Sequence, residues 1–313
     1  MNILFITSNR LGDAVLSTGL LATLAERHPQ ARFTITCGPF AAGLFRAAPR
    51  LDRIVILDKK TWNRHWCDLW LAAAGTRWDL IVDLRDSLVS RLLFARRKAR
   101  RVKRPGAHKV IENAAALGME EHPPAPHIWL DDEAHQEAQS LLPPTRPLLA
   151  LGPAANWACK QWPAGRFAEL AHKLIAEDGP LAGADVLVIA DRHERAQIAT
   201  LIAALPPDRC VEIIGRELLT VAACLKQCRL YVGNDSGLMH LAAAMGAPTL
   251  GLFGPGYEEI YGPWGAKSAV IRTPESRNEL LARLSPSHQP NLMSGLWAET
   301  VFEAAEKLLA RTA

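Results

Sequence analysis

Residues 231–255, YVGNDSGLMHLAAAMGAPTLGLFGP, constrain this chain more than any other stretch. Residues 230–232 are a short apolar run, Gly233-Asn234-Asp235-Ser236-Gly237 is a tight polar turn, and residues 238–245 are Ala/Leu-rich at helical spacing and closed by Gly246. Residues 248–253 then read as a second buried strand, with Gly254-Pro255-Gly256 as a turn at its carboxyl end. Glycines in such a turn let a ligand approach the backbone, and the first-turn amides of the helix are unpaired donors at the positive end of its dipole. A diphosphate suits that arrangement. The same residues have a purely structural reading, because Asn234, Asp235 and Ser236 are all good helix N-caps.

The pattern recurs along the chain. Residues 2–7 (NILFIT) predict a buried strand, and SNRLGD at 8–13 leads into an amphipathic helix ending near His28-Pro29. A strand at 33–37, a helix at 41–48, a strand at 53–57 and a Trp-rich helical piece (Trp62, Trp66, Trp70) follow. Residues 79–84 and 101–103 are further strand candidates around a helix at 87–99. LLPPTRP at 141–147 opposes both helix and sheet, so the expected division is a first domain over 1–143 and a second over 144–297. In the second, strands are expected at 148–152, 185–190 and 210–214, and helices at 164–176, 194–204 and 219–227. Residues 273–295 read as a surface loop, and 300–310 as a last amphipathic helix within a terminal segment 298–313. Alternation of this kind argues an α/β fold class of two Rossmann-like domains, with ligand sites at the carboxyl ends of their parallel strands. A nicotinamide enzyme is disfavoured, because the first turn is Asn9-Arg10-Leu11-Gly12-Asp13 rather than G-x-G-x-x-G and the second strand ends in Cys37-Gly38 with no ribose-binding acid.

At 313 residues the chain is long enough for two cores. No segment has the roughly 18 uninterrupted apolar residues of a membrane span, and the N-terminus enters a strand without a basic leader, so a cytoplasmic protein is expected. The six cysteines are scattered and read as reduced thiols rather than a zinc site. Net charge is only +4, but it is uneven: 20 Lys and Arg stand against 15 Asp and Glu through residue 140, and 16 against 17 after it. Nine basic residues and no acid lie between Arg91 and Lys109. No aromatic interleaving accompanies them, which argues against nucleic acid. A solvated face, an anionic glycolipid, or the membrane surface that carries one would each account for the cluster.

The string DSGLMH followed by AAAMGAPTLGLFGP resembles the donor-site signature of glycosyltransferase family 9, the ADP-heptose:lipopolysaccharide heptosyltransferases. Arg10-Leu11-Gly12-Asp13 with Leu16-x-Thr18 resembles the family's N-terminal signature, with Gly19 where many relatives carry proline, and Lys160-Gln161-Trp162-Pro163 resembles its Lys-x-Trp-Pro element. The resemblance implies a GT-B architecture, two Rossmann-like domains facing across a cleft, with the final helix crossing back to the first. It also implies ADP-heptose as donor with no cofactor, a lipopolysaccharide core acceptor, and peripheral contact with the cytoplasmic face of the inner membrane. Asp13 would be the general base, Lys160 would bind donor phosphate, and Asp235 would contact sugar hydroxyls while amides at Ser236, Gly237 and Leu238 meet the phosphates. Glu194, with Asp191 as the alternative, would accept ribose hydroxyls.

Taken without the family, Asp13 is also what a helix first turn prefers, and Lys160 ahead of a helix adds a full charge to a site rich in amides. His240 lies four residues after Ser236 on the same helix face, where it either reaches a phosphate or packs beneath the loop. Lys59, Lys60, Arg64, Arg97, Arg101 and Arg104 are the candidates for acceptor phosphates or carboxylates. The chain contains no Asp-x-Asp and no divalent-metal spacing, so the leaving diphosphate is expected to be stabilised without a metal. The rivals are a nucleotide-sugar epimerase of the same fold and a non-catalytic member that binds nucleotide sugar or glycolipid.

Overall fold

Apolar runs of five or six residues alternate with amphipathic stretches, and parallel strands so separated must pair through crossover helices. The computed structural model describes residues 1–58, 64–143, 145–285 and 287–313. It forms two compact units, Met1–Trp129 and Leu130–Ala313.

The first unit runs β1 (Asn2–Ile6), α1 (Leu11–Val15), α2 (Thr18–Arg27), β2 (Arg32–Cys37), α3 (Pro39–Ala42), β3 (Leu51–Ile56), α4 (His65–Ala73), β4 (Trp78–Asp83), α5 (Leu88–Leu92), β5 (Ala95–Arg100) and α6 (Lys109–Ala114). Its sheet has the order β3-β2-β1-β4-β5 and is parallel throughout. The chain reverses direction across the sheet between β1 and β4, which is where an open α/β sheet leaves a crevice at its strand ends. Leu4, Ile6, Leu69, Ile81 and Val89 pack one face of this sheet under α4 and α5.

The second unit runs α7 (Asp132–Leu141), β6 (Leu148–Gly152), α8 (Ala164–Ile175), β7 (Asp185–Ala190), α9 (Arg195–Ala204), β8 (Cys210–Ile214), α10 (Leu218–Leu225), β9 (Leu230–Asn234), α11 (Gly237–Ala244), β10 (Thr249–Phe253), α12 (Glu258–Tyr261), β11 (Ser268–Arg272), α13 (Arg277–Ala282) and α14 (Ala298–Thr312). The sheet order is β11-β10-β9-β6-β7-β8, so the corresponding crevice lies between β6 and β9.

Several elements depart from the sequence-based expectation. The amphipathic stretch after β1 is two helices, broken at Leu16-Ser17, where Ser17 donates to the Ala14 carbonyl at 2.7 Å and exchanges a 2.7 Å bond with Thr7. The expected helix at 87–99 is instead the five-residue α5 followed by β5, an edge strand whose Arg96, Arg97, Lys98 and Arg100 are exposed. Residues 101–103 are not a strand. Charged residues are a usual way to keep a sheet edge from pairing with another chain. Residues 273–295 are not a bare loop: α13 is held by a capping box between Ser276 and Glu279, and Leu280, Leu292 and Met293 are buried. Trp62 lies outside the described residues.

The division falls earlier than the proline-rich 141–147, because α7 belongs to the second unit. Its Glu137 accepts from Thr220 Oγ1 at 2.6 Å and from Arg216 at 3.2 Å. The last helix packs within the second unit. Its stripe Val301, Ala305, Leu308 and Leu309 joins Phe167, Leu170 and Leu174 of α8 in one core. Burial of each large aliphatic side chain is worth about 1.5–3 kcal/mol, so this packing fixes where α14 rests. All six cysteines are free thiols; Cys37 and Cys224 are pushed up to about 12 by burial, which leaves them inert at neutral pH.

Candidate functional site

In the first unit, the crevice between β1 and β4 is built from the turns that follow those strands. Arg85, just past β4, donates to Asn9 Oδ1 at 2.6 Å, and its guanidinium lies 4.9 Å from the Trp66 ring centroid. Burial lowers the Arg85 pKa from its ordinary value, against the opposing pull of Asp83. Asp83 is fully buried and shapes the turn, accepting from the Arg85 amide at 2.9 Å and from the Ser87 amide and hydroxyl at 2.7 Å each. Asp13 sits in the first turn of α1, whose N-cap Arg10 supplies no side-chain bond. Ser8 donates to Asp13 Oδ2 at 3.4 Å, while Asp13 Oδ1 is buried and accepts no hydrogen bond from the described residues. A buried carboxylate oxygen left without a donor is costly; here it lies at the mouth of the crevice, where a substrate hydroxyl could supply the donor.

The helix after that turn is clamped from behind. Asn113 Nδ2 donates to the Leu16 carbonyl at 3.1 Å, and the His127 amide donates to Thr18 Oγ1 at 3.0 Å. A Cβ at Gly19 would strike the carbonyl oxygens of Pro124 and Ala125, so glycine at this helix position is dictated by the chain that crosses over it.

In the second unit, the loops after β6 and β9 meet across the crevice. Asn234, fully buried at the end of β9, donates through Nδ2 to the Pro153 carbonyl at 2.7 Å and accepts the Trp162 amide on Oδ1 at 2.9 Å. Trp162 in turn donates from its indole to the Leu296 carbonyl at 2.9 Å and packs edge-on to Phe167 at 4.8 Å. The loop so fastened carries Lys160, whose Nζ lies 3.1 Å from Asp235 Oδ2, each side chain 18% exposed. Pro163 is the N-cap of α8 and provides no side-chain cap.

None of the three polar residues at the start of α11 acts as a side-chain cap. Ser236 occupies the N-cap position without a cap bond, Asn234 ties the two loops, and Asp235 holds Lys160. The amides of the first helical turn therefore keep the donor capacity that such caps usually absorb. Gly233 does not make room for a ligand as its place in the turn suggests. The space a Cβ would need there, and at Gly152, is filled by the phenol of Tyr231, which burial pushes well above its usual range and which faces Ser236 without a formed hydrogen bond.

Of the other expected residues, Gly237 and Leu238 open α11 as required, and His240 is buried within that helix at 4% exposure, which favours packing over ligand contact. Glu194 follows β7, but one carboxylate oxygen is engaged: Oε2 accepts the Asp191 amide at 2.9 Å in a capping box in which Asp191 accepts from His193 at 3.0 Å. Among the acceptor candidates, Arg101 is bound to Glu112 at 2.9 Å and Arg104 is bound to Glu120, so local acids already neutralise both. Lys109 shares Glu112 at 2.6 Å. Burial raises the Glu112 carboxyl pKa, but the hydrogen bonds from Lys109 and Arg101 outweigh that, and the net shift is downward. Arg97 and Arg64 are exposed, and Lys59 and Lys60 lie outside the described residues.

Two groups escaped the sequence reading. Arg85 has no local motif to mark it. A cavity of about 430 Å³ after β10 and β11, lined by Gly256, Tyr257, Glu258, Arg272, Ser276 and Arg277, was equally hidden. Gly256 borders Asp235, since a Cβ there would stand 2.8 Å from Asp235 Oδ2, and Arg277 stacks on Tyr257 at 4.0 Å. The cavity thus opens beside the Lys160–Asp235 pair. Among the described residues no group of three or more His, Cys, Asp and Glu is placed to hold a metal ion, and no helix is long and apolar enough to cross a membrane.

The family model described as glycosyltransferase family 9 (heptosyltransferase) matches residues 85–289. Lipopolysaccharide heptosyltransferase 2 of Salmonella typhimurium is 26% identical over 318 residues, covering 87% of this chain and 88% of that protein. The glycosyl transferase family 9 structure from Veillonella parvula superposes with a TM-score of 0.80 at 21% identity, covering 99% of this chain and 97% of that one. The ADP-heptose lipopolysaccharide heptosyltransferase II structure from E. coli gives 0.76 at 22% identity, covering 100% and 99%. The two parallel-sheet units are those of the GT-B fold, and the family match starts just after β4 and takes in β5, the whole second sheet, the Lys160 loop and α11. The chain is an enzyme of glycosyltransferase family 9.

Proposed function

We propose that this enzyme transfers heptose from ADP-heptose to a lipopolysaccharide core acceptor, with inversion at the anomeric carbon and without a metal ion or other cofactor. The names of the relatives support the donor and acceptor class. The observation that carries the reading is the Lys160–Asp235 pair at 3.1 Å, set at the start of α11 where no side chain caps the helix. A lysine and a helix N-terminus together offer a diphosphate both a full and a partial positive charge.

In this reading the second unit holds the donor, its phosphates on Lys160 and the amides of Ser236, Gly237 and Leu238, its sugar hydroxyls on Asp235, and its ribose near Glu194. Asp13 takes the proton from the acceptor hydroxyl, and that oxygen bonds to the anomeric carbon as the bond to the diphosphate oxygen breaks. ADP departs carrying the electron pair, and Lys160 with the helix dipole neutralises it. Stabilisation of a departing anion by positioned donors contributes several kcal/mol, and general-base assistance about a hundred- to ten-thousand-fold in rate. The exposed basic residues Arg64 and Arg97 are left to meet acceptor phosphates or carboxylates. The acceptor is lipid-anchored, which puts the enzyme in peripheral contact with the cytoplasmic face of the inner membrane.

The test is mass spectrometry of a truncated core oligosaccharide incubated with ADP-heptose in the presence of EDTA. The parent adds one heptose, and Asp13→Asn loses at least about a hundredfold in kcat with little change in ADP affinity. Near-parental turnover by folded Asp13→Asn would remove Asp13 as base. Donor consumption without acceptor would indicate an epimerase, and donor binding with no transfer a non-catalytic member.

A further inference from the structure

The first unit carries a surface that neither its core nor its crevice explains. On α5, Leu88 and Leu92 stand four residues apart and are 68% and 66% exposed, and Phe94 just beyond is 70% exposed. The opposite face of the same short helix buries Val89, with Leu93 after it, in the core, so the outward leucines are spare rather than misplaced. The chain passes directly from Phe94 into the edge strand β5, whose Arg96, Arg97 and Lys98 are all exposed. Ala95 packs on the core beneath α4 and α5, and strand alternation places Arg97 on that same side of the sheet. Trp70, one turn from Trp66 on the neighbouring α4, is 43% exposed.

We propose that this α5–β5 edge docks the enzyme on an anionic lipid bilayer, with Leu88, Leu92 and Phe94 entering the headgroup layer and the β5 cations above them. The inference draws on the functional reading only for the reason a lipid surface would be approached; the binding itself does not require transfer. Three features favour a bilayer over a protein. The apolar side chains protrude singly from a short helix and its following turn instead of lining a groove, and a fluid interface needs no matching shape. Apolar and basic residues alternate over one continuous segment, the composition of an interfacial anchor. A second copy of this chain would bring two sets of β5 cations together in a twofold contact, which like charge opposes.

Vesicles of phosphatidylcholine, with and without phosphatidylglycerol, and the full-length enzyme form the assay, read by co-sedimentation at low and high salt. The parent is expected on the anionic vesicles alone, with binding weakened by salt. Leu88→Ser/Leu92→Ser/Phe94→Ser should weaken binding by about a hundredfold, as loss of that much apolar insertion predicts. All three side chains are exposed, so parental circular dichroism and melting are expected, and turnover on a soluble acceptor fragment should be unchanged. A parent that ignores anionic vesicles, binds neutral ones equally, or binds through a surface the serine variant leaves intact overturns the proposal. So does a parent that dimerises while the serine variant is monomeric, or a serine variant that fails on the soluble fragment, which would assign these residues to the acceptor site. A parent that binds vesicles yet transfers nothing upholds this surface and overturns the function instead.

Discussion

Replacing Asn234 by alanine tests the tie on which the second-unit site is built. The side chain is fully buried and makes two bonds, to the Pro153 carbonyl at 2.7 Å and from the Trp162 amide at 2.9 Å. Alanine leaves both backbone groups without partners, and an orphaned buried group costs about 1–3 kcal/mol. The loop ends at a strand mouth where water can reach one of them after relaxation, so the expected loss is about 2–4 kcal/mol rather than the full sum. Urea unfolding measures it. ADP titration calorimetry on the same variant should show affinity down by about tenfold, because a loosened loop lowers the fraction of molecules with Lys160 in place. Asn234→Asp is the sharper control. It keeps an acceptor for the Trp162 amide but points a carboxylate oxygen at the Pro153 carbonyl, so this near-isostere should be no more stable than alanine at neutral pH. An alanine variant within about 0.5 kcal/mol of the parent, or an aspartate variant as stable as the parent, would refute the tie.

Three further outcomes follow from the same geometry. Lys160→Ala should weaken ADP binding by about ten- to a hundredfold in calorimetry, whereas Asp235→Asn should leave it equal or tighter while transfer falls; parental ADP affinity in the lysine variant contradicts the assignment. Gly19→Ala would gain up to about 1 kcal/mol of helix propensity but forces a methyl onto the Pro124 and Ala125 carbonyls, an overpacking cost of about 1–3 kcal/mol; net destabilisation in thermal melts is expected, and a stabilised variant would contradict the clamp. Glu112 has a folded pKa below its ordinary 4.5, through Lys109 and Arg101 acting against burial, so its contribution to stability is present above that value and fades as pH falls through the depressed one. The stability gap between parent and Glu112→Gln should therefore be open at pH 7 and close in acid; a gap independent of pH denies the linkage.

What could be read in advance followed burial. Strands β6, β7 and β9 are buried along their whole length and announce themselves as unbroken apolar runs, as inner parallel strands do. The edge strands β5 and β11 do not, since ARRKAR is mostly charged and SAVIR only half buried. The stripe of α14 was legible, but a stripe does not name the surface it packs on, and α8 proved to be the partner. At the site, Lys160 and Asp235 each sat in a recognisable local string, yet their contact joins positions 75 residues apart. Arg85 had no string at all; its partner Asn9 is 76 residues away and the bond exists only because β1 and β4 are neighbours. Ser236 and Asn234 were equally good caps on paper, and only the geometry shows that neither side chain is spent that way.

That division of labour has a consequence for the proposed reaction. The tie between the loops is a neutral amide acting on backbone groups, so fastening the site consumes none of its charge. Among the described residues Lys160 is held by a single carboxylate at 3.1 Å with both partners largely out of water, and a pair in that setting interacts more strongly than one on an open surface. An arriving sugar diphosphate must share the ammonium with Asp235. As the anomeric bond breaks, the departing phosphate gains a further negative charge, and the share it draws from Lys160 and the start of α11 rises. Asp235 is then released to the sugar hydroxyls it would otherwise compete with. The interaction with the phosphate therefore grows along the reaction instead of being complete on binding, which is the condition under which binding energy raises kcat. A lysine fixed by two acids would resist the exchange, and one with no acid beside it would bind donor and departing ADP more nearly alike. In the proposed reaction, a single carboxylate beside Lys160 would let the site favour the departing anion over the bound donor.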